Sequence, residues 1–367
     1  MKASGIINKI AISTAILFSI SVGHLQANPP RYQRASLTQI MIEHPMYALN
    51  DEIVEAYKSL PLNPRFNDHS LGVTVVKFAT QEYTDQTPYI NAFLKKAKVG
   101  NRAVAKWFLF NKETGEFSPD LVKERGLYDA TVFDKEMATR LVRGNAILED
   151  AGEKLISHTY LIMHDICFKG KYSNKLKDFN ATGKKVSFKV NVTSYIYSLD
   201  WGIDQLDEFY SFHYDSKNIN FVKTANYGYT FRAKVESEYN EESTKISQRD
   251  LIRRVVGRCL DKNIAKLQTA YPDFRIMTPI STTDPITANI GLKEGIDENS
   301  LFEVLEAEET PTGIIKYKRV GIISPIANKI ADNRFMSESA DDEFTQFKIV
   351  SGKNFYEGMM IREINEK

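Results

Sequence analysis

Two histidines lie six positions apart around the segment TYLIMHDICF. His158 and His164 are the nearest approach to a metal-ligand pair in the sequence. The segment is apolar at most positions, which predicts a buried strand, and six strand residues span roughly 20 Å. Two ligands of one zinc ion lie within a few ångström of the metal. We therefore predict that these histidines share no metal, and we expect no metal or cofactor.

A second histidine lies close to a carboxylate in the segment FHYDSK. His213 and Asp215 are two positions apart and could meet on one face, where the carboxylate would fix the imidazole tautomer. A hydrolytic site built on this histidine pair would also need a nucleophile or a metal. The sequence contains neither the G-x-S-x-G motif of a serine nucleophile nor the H-E-x-x-H motif of a zinc protease. A polar loop is therefore the simpler interpretation.

Basic residues concentrate between residues 169 and 185. Six lysines and one acid, Asp178, occur there, with two aromatic residues among them. The predicted binding residues are Lys171, Tyr172, Lys175, Lys177 and Phe179. Such a loop could bind an anionic glycan, a lipid head group or an acidic protein. The alternative is a solvated loop between two strands, since lysines are common in exposed loops.

The chain has two cysteines, Cys167 and Cys259, each among apolar residues. Compartments outside the cytoplasm permit a disulfide, so the two could be bonded. They could equally be two buried thiols that pack as small hydrophobic groups. The spacing leaves both alternatives open because it does not give the Cα separation.

The first 27 residues predict a cleavable signal peptide. Lys2 and Lys9 precede 14 uncharged residues, and Ala27 is a small residue at the expected cleavage site. The apolar run is shorter than the about 20 residues of a membrane-spanning helix. We therefore expect a periplasmic or secreted protein with no transmembrane segment. The 48 basic and 47 acidic residues nearly balance, which gives no reason to expect nucleic-acid binding.

The apolar patterns predict an α+β fold with an antiparallel sheet and packed helices. Residues 28–129 are expected to form a mixed helical region, with SLTQIMIEH and DEIVEAYKSL as short helices. Residues 130–275 are expected to form the α+β domain. It begins with a helix near Asp134 and continues through the strands TYLIMHDICF, VSFKVNVTSYIY and TFRAKVES, with Phe231 pointing inward. A second helix begins at a capping box formed by Ser247 and Asp250.

The segment TPISTTDP, with two prolines, is expected to be a linker. After it, residues 286–367 contain only short strand-like runs, which predict a small β-barrel. Gly291 and Gly295 are expected at tight turns, and Phe302 and Val304 should point into the barrel.

Three segments of this region carry a resemblance. IGLKEGIDENSLFEVLE, YKRVGIISPI and GMMIREI resemble the small C-terminal barrel of exported bacterial assembly proteins such as flagellar assembly protein T. The resemblance covers about residues 286–367, and Asn299 and Ser300 stand where that family usually has Gly-Asp. The segments VGNRAVAKWF, LVKERGLYDA and ILEDAGEKLISHTYLIMHDI resemble uncharacterised secreted proteins of Bacteroides-type Gram-negative bacteria. These resemblances imply a compartment and a fold but no active site.

Two functions are consistent with these patterns. One is an exported, non-enzymatic envelope protein that acts as a binding or assembly module, with an envelope protein or an anionic glycan as partner. The other is an exported hydrolase whose carboxylates or histidines meet only in the folded chain. A deep cleft lined by carboxylates with raised pKa values would favour the hydrolase, and a shallow surface with exposed aromatic residues would favour the binding module.

Overall fold

The computed structural model describes residues 35–78, 85–129, 155–169, 183, 185–271, 274–309, 315–337 and 343–364. Among these residues no helix combines the length and apolar character needed to cross a membrane. The helices are α1 Asn50–Lys58, α2 Thr87–Lys96, α3 Val99–Trp107, α4 Asp120–Asp129, α5 Ile203–Phe212, α6 Phe221–Thr224 and α7 Gln248–Ala270. Two sheets accompany them, so the predicted α+β class with a barrel-like part is confirmed.

The first sheet has the strand order β2-β1-β4-β5-β6, with β3 also paired to β1. Its strands are β1 Ser36–Glu43, β2 Asn67–Asp68, β3 Val75–Lys77, β4 Thr159–Phe168, β5 Val186–Leu199 and β6 Tyr229–Ser243. The predicted antiparallel pairing holds for β4, β5 and β6. The sheet is mixed, because β1 pairs in parallel with β2, β3 and β4.

The predicted helix in SLTQIMIEH is wrong, because this segment is strand β1. Both of its faces are covered: Leu37 and Met41 pack on one side of the sheet, and Ile40 and Ile42 pack on the other. A strand buried on both sides loses the alternation that identifies strands, and its apolar residues then match a helical spacing as well. Residues 28–129 therefore contribute to the same sheet as the predicted α+β domain.

Helix α7 covers one face of this sheet. It begins as predicted at Ser247, whose Oγ accepts a hydrogen bond from the backbone N–H of Asp250 at 3.1 Å. One side of the helix carries a stripe of buried apolar residues, which consists of Ile252, Val255, Val256, Cys259, Leu260, Ile264 and Leu267. These side chains pack on β1, β4 and β5 together with α1, which lies where DEIVEAYKSL predicts a helix. The predicted helix near Asp134 lies almost wholly outside the described residues.

The opposite face of the sheet is covered by α2 and α3. Ile90 and Leu94 of α2 pack with Tyr195 and Tyr197 of β5. At the edge of this layer, an aromatic cluster joins α3, α5 and α6 through residues that include Trp107, Phe108, Phe209 and Phe221. This cluster fixes the positions of the three short helices relative to one another.

A β-bulge changes the orientation of one predicted core residue. The register between β5 and β6 shifts at Ile196 and Tyr197, so that Tyr197 faces Phe231 while Ile196 faces Ala233. Because side chains alternate along a strand, the shift moves Phe231 off the face shared by Ala233 and Val235. The prediction that Phe231 points inward is therefore wrong, and its ring is partly exposed beside Tyr197.

The second sheet is C-terminal, antiparallel and curled into a half-barrel. Its strands are β7 Met277–Pro279, β8 Thr282–Thr283, β9 Ile286–Ala288, β10 Phe302–Glu309, β11 Ile315–Pro325, β12 Thr345–Gly352 and β13 Met360–Glu363. They lie in the order β7-β13-β10-β11-β12-β9-β8. The predicted linker TPISTTDP is not a linker, because its residues form β7 and β8. Proline is accommodated there because β7 lies at the sheet edge.

The core of this sheet matches the sequence pattern in part. Phe302 and Val304 are fully buried, as predicted. Gly295 has φ of 78° and so occupies the left-handed conformation expected at a turn. Gly291 is extended instead, and its small size is needed because a side chain would collide with the carbonyl oxygen of Ala331.

Arginines of α7 contact both the first sheet and the C-terminal part of the chain. Glu241 of β6 lies between two arginines of α7, at 3.0 Å from Arg254 and 3.1 Å from Arg258. Arg258 also donates from Nε to the carbonyl oxygen of Phe335 at 3.1 Å. The Phe335 ring rests on Gly257, where a Cβ atom would come within 2.8 Å of it. Helix α7 therefore lies between the first sheet and the loop that carries Phe335, and specific contacts hold it to both.

Candidate functional site

The lysine-rich loop predicted to bind an anionic partner lies outside the described residues. This applies to Lys171, Tyr172, Lys175, Lys177 and Phe179. Their role stays a prediction. Any site in the described part of the chain must therefore be built from other residues.

The two cysteines are buried, and no disulfide joins them. Cys259 of α7 packs on one face of the first sheet, next to Ile166 of β4. Cys167 follows Ile166 in the same strand, so its side chain points to the opposite face. The sheet therefore separates the two thiols. Of the two alternatives, the structure shows two buried thiols and not a disulfide. Burial raises the pKa of Cys259 to about 12, so this thiol is not a reactive nucleophile.

His164 is held in a buried hydrogen-bond network. Its Nε2 donates to Gln39 Oε1 at 3.0 Å, because an amide oxygen can only accept. Its Nδ1 accepts from Ser194 Oγ at 2.8 Å, and Ser194 Oγ accepts from Asn263 Nδ2 at 2.7 Å. Burial lowers the pKa of His164 to about 3, so the ring is neutral. With both ring nitrogens engaged, His164 is not available to a metal.

Two further histidines lie close to carboxylates. His213 lies 3.8 Å from Glu208 rather than meeting Asp215, which is exposed. His44 lies 3.4 Å from Asp165, and both side chains are largely buried. Among the described residues, no group of three or more His, Cys, Asp or Glu side chains is placed to hold a metal ion.

A cleft of about 280 Å³ lies beside α7, and we call it the α7 cleft. Its lining includes Gln39, Asp68, Asp261, Lys293 and Phe335, which come from the first sheet, from α7 and from two connections between strands of the C-terminal sheet. Burial raises the pKa of Asp261 from 3.8 to about 6, although the nearby Lys293 opposes the shift. Lys293 Nζ lies 3.8 Å from Asp261 Oδ1. The cleft therefore contains one carboxyl group that titrates close to neutral pH.

A larger groove of about 610 Å³ lies between the α3 region and the segment around α6. We call it the basic groove. Its cationic residues are Arg102, Lys106, Lys112 and Lys223, and its apolar residues are Leu71, Ala105, Leu109, Phe110, Ile219 and Val222. No aspartate or glutamate is among the described residues that line it. The basic groove thus combines four positive charges with an apolar surface.

The four cations of the basic groove differ in how they are held. Arg102 Nε donates to the carbonyl oxygen of Ala97 at 2.9 Å, and Lys106 Nζ donates to that of Ser70 at 2.6 Å. Burial lowers the pKa of Lys106, an effect that Asp68 opposes from outside the groove and Arg125 reinforces. Lys112 and Lys223 are exposed and form no ion pair with any residue that the structure describes. These two ammonium groups are available to a ligand.

The walls of the basic groove are joined at two points. Asn101 of α3 donates to the carbonyl oxygens of Val222 and Ala225, at 2.9 and 2.6 Å. Gly115, which follows the wall segment that carries Lys112, packs directly on the carbonyl group of Lys217, which precedes Ile219. The Lys217 ammonium group also lies 3.1 Å from the carboxylate of Glu116. The groove is therefore formed by the folded chain before any ligand binds.

Sequence reasoning did not identify the basic groove. Its residues come from three segments that are distant in the sequence, and none of them forms a recognisable motif. No protein-family model matches the chain, and no curated protein matches its sequence.

Proposed function

We propose that the protein is an exported, non-enzymatic binding or assembly module of the cell envelope, and that its basic groove binds an anionic ligand. The observation that carries this proposal is the lining of the groove, with four cations and no described carboxylate. The signal-peptide pattern and the resemblance to exported assembly proteins support a periplasmic or secreted location. The anionic group would belong to an envelope component.

The electrostatics of the basic groove favour an anion. Like charges that share one surface repel each other, and water and salt screen this repulsion only in part. A bound anion would offset this repulsion among the four cations. Two of them, Arg102 and Lys106, are hydrogen-bonded to backbone carbonyl oxygens. Because the groove is concave, such a ligand would also lose more contact with water than on a flat surface, which strengthens charge interactions.

Anilinonaphthalene sulfonate tests this proposal, since it is an anionic dye whose fluorescence rises when it leaves water. We expect saturable binding that weakens as salt is added. The double substitution Lys112→Glu and Lys223→Glu should abolish the saturable component. The matched control is Lys348→Glu, because Lys348 is an exposed lysine on β12 of the other sheet. Equal binding by the wild type and the groove variant would show that the groove is not the anion site.

The hydrolase alternative has one observation in its favour. Asp261 faces the α7 cleft with a pKa of about 6, which is near the value that suits a general acid. Asp68 also lines this cleft, but its Oδ1 accepts a hydrogen bond from the backbone N–H of Ser70 at 2.7 Å. The test is hydrolysis of a panel of chromogenic glycosides and esters by wild type and Asp261→Asn. Turnover that Asp261→Asn removes without unfolding the protein would favour the hydrolase over the binding module.

A further inference from the structure

We infer that the ligand of the basic groove is a single-chain amphiphile with an anionic head group, of the long-chain fatty acid class. This inference rests on the proposed function, because it names the class of anion that the same groove would take. Its basis is the apolar part of the groove, which a purely polar anion would not use.

Two large apolar side chains are exposed inside the groove. Leu109 is 47% exposed and Ile219 is 56% exposed, and both line the groove. They come from separate loops, one after α3 and one before α6. Exposed apolar side chains that face a common concave surface indicate a binding site for an apolar group.

One residue near each wall of the groove has a positive φ angle, which residues other than glycine rarely adopt. Leu109 has φ of 42°, and Lys217, two residues before Ile219, has φ of 50°. The left-handed region is disfavoured for residues with a Cβ atom, and such residues often occur at functional sites. Each wall therefore carries an unfavourable backbone conformation beside an exposed apolar side chain.

The charges and the apolar surface together define the ligand. Lys112 and Lys223 would contact a carboxylate head group, while Leu109, Ile219 and Val222 would contact the hydrocarbon chain. The groove volume of about 610 Å³ lies within the range of about 300–1,000 Å³ of small-molecule sites. A free inorganic anion would leave the apolar side chains exposed. A flat bilayer surface would not fill a concave groove.

Calorimetric titration of the full chain with three probes tests the inference. Laurate has both a charge and a chain, dodecanol has the chain alone, and acetate has the charge alone. Used below its micelle concentration, laurate should bind saturably with one molecule per protein. Dodecanol should bind about tenfold more weakly, because it lacks two charge contacts. Acetate should show no measurable binding.

Groove variants separate the two parts of the ligand. Lys223→Gln should weaken laurate binding and leave dodecanol binding unchanged, whereas Ile219→Ser should weaken both. Lys348→Gln is the matched control and should change neither. Lys223→Gln and Ile219→Ser both change exposed side chains, so each variant should unfold in urea at the same concentration as the wild type.

Three results would overturn the inference. If acetate binds as tightly as laurate, the groove takes a simple anion, and the proposed function survives without this ligand class. If neither laurate nor the anionic dye binds, both proposals fail. If the protein sediments with phosphatidylglycerol vesicles but does not bind free laurate, the surface contacts a membrane rather than a single amphiphile.

Discussion

Asn101 Nδ2 donates a hydrogen bond to the carbonyl oxygen of Val222 at 2.9 Å and so joins α3 to the segment that forms the opposite wall of the basic groove. The same amide group donates to Ala225, and its oxygen accepts from the backbone N–H of Tyr227 at 2.8 Å. Asn101 is fully buried on α3. One side chain therefore satisfies three backbone groups of the segment that carries the opposite wall.

Replacing this residue should loosen the groove. Asn101→Ala removes all three hydrogen bonds and leaves largely buried backbone groups without partners, so we expect a loss of about 3 kcal/mol in the free energy of unfolding. Urea unfolding measures this change. Asn240→Ala, at an exposed position, is the control and should cost less than about 0.5 kcal/mol. Equal effects of the two substitutions would contradict the role assigned to Asn101.

The contact between the segments that follow Lys112 and precede Ile219 should depend on Gly115. This glycine has φ of 75°, and a Cβ atom there would collide with the Lys217 carbonyl group. Gly358 is a matched control, because its φ is 91° and a Cβ atom would meet no other atom within 4 Å. Gly115→Ala should lower both thermal stability and dye binding more than Gly358→Ala does. If the two variants have the same melting curves and the same binding curves, Gly115 does not make a tight contact with Lys217.

Asp261 should make stability depend on pH. Its pKa is raised from 3.8 to about 6, so the folded protein holds this proton more tightly than the unfolded chain. Stability is therefore lost as pH rises from about 3.8 to about 6 and does not change further above that range. Asp261→Asn should raise the free energy of unfolding on the order of 2 kcal/mol at about pH 7.5, and by less at about pH 4.5. Urea unfolding at both pH values tests this, and a gain that is the same at both would show that Asp261 is not the titrating group.

The C-terminal sheet should depend on Phe302. This side chain is fully buried among residues such as Ile323 and Phe347. Phe302→Ala should cost about 3–5 kcal/mol because it removes contacts and leaves a cavity. Glu306→Ala in the same strand is the control, since Glu306 is only partly buried. Similar unfolding midpoints for the two variants would mean that Phe302 is not central to this core.

The sequence predicted those elements whose signals are local. Helix α7 was predictable because its apolar stripe repeats every three to four residues and Ser247 caps its first turn. Strand β5 was predictable because Phe188, Val190 and Val192 alternate with less buried residues. In both elements one face is covered by the core and the other is less buried. This difference between the two faces produces the regular spacing of apolar residues in the sequence.

Elements that depend on distant partners were not predictable in the same way. Strand β1 lacks alternation because helices cover both of its faces. Strand β7 can contain Pro279, which has no backbone N–H group, because β7 lies at the edge of its sheet and pairs on one side only. The basic groove depends on contacts such as the one between Asn101 and Val222, which lie far apart in the chain. No local pattern encodes a contact of that kind.

Methyl NMR spectroscopy of the full chain during laurate titration tests most directly whether a ligand occupies the basic groove. Ile219 lines the groove and is 56% exposed, whereas Ile349 on β12 is 52% exposed and lies outside it. The two isoleucines therefore form a matched pair of exposed reporters. We expect the δ1-methyl signal of Ile219 to shift saturably while that of Ile349 stays in place. An unchanged Ile219 signal, or equal shifts of both signals, would contradict binding in the groove.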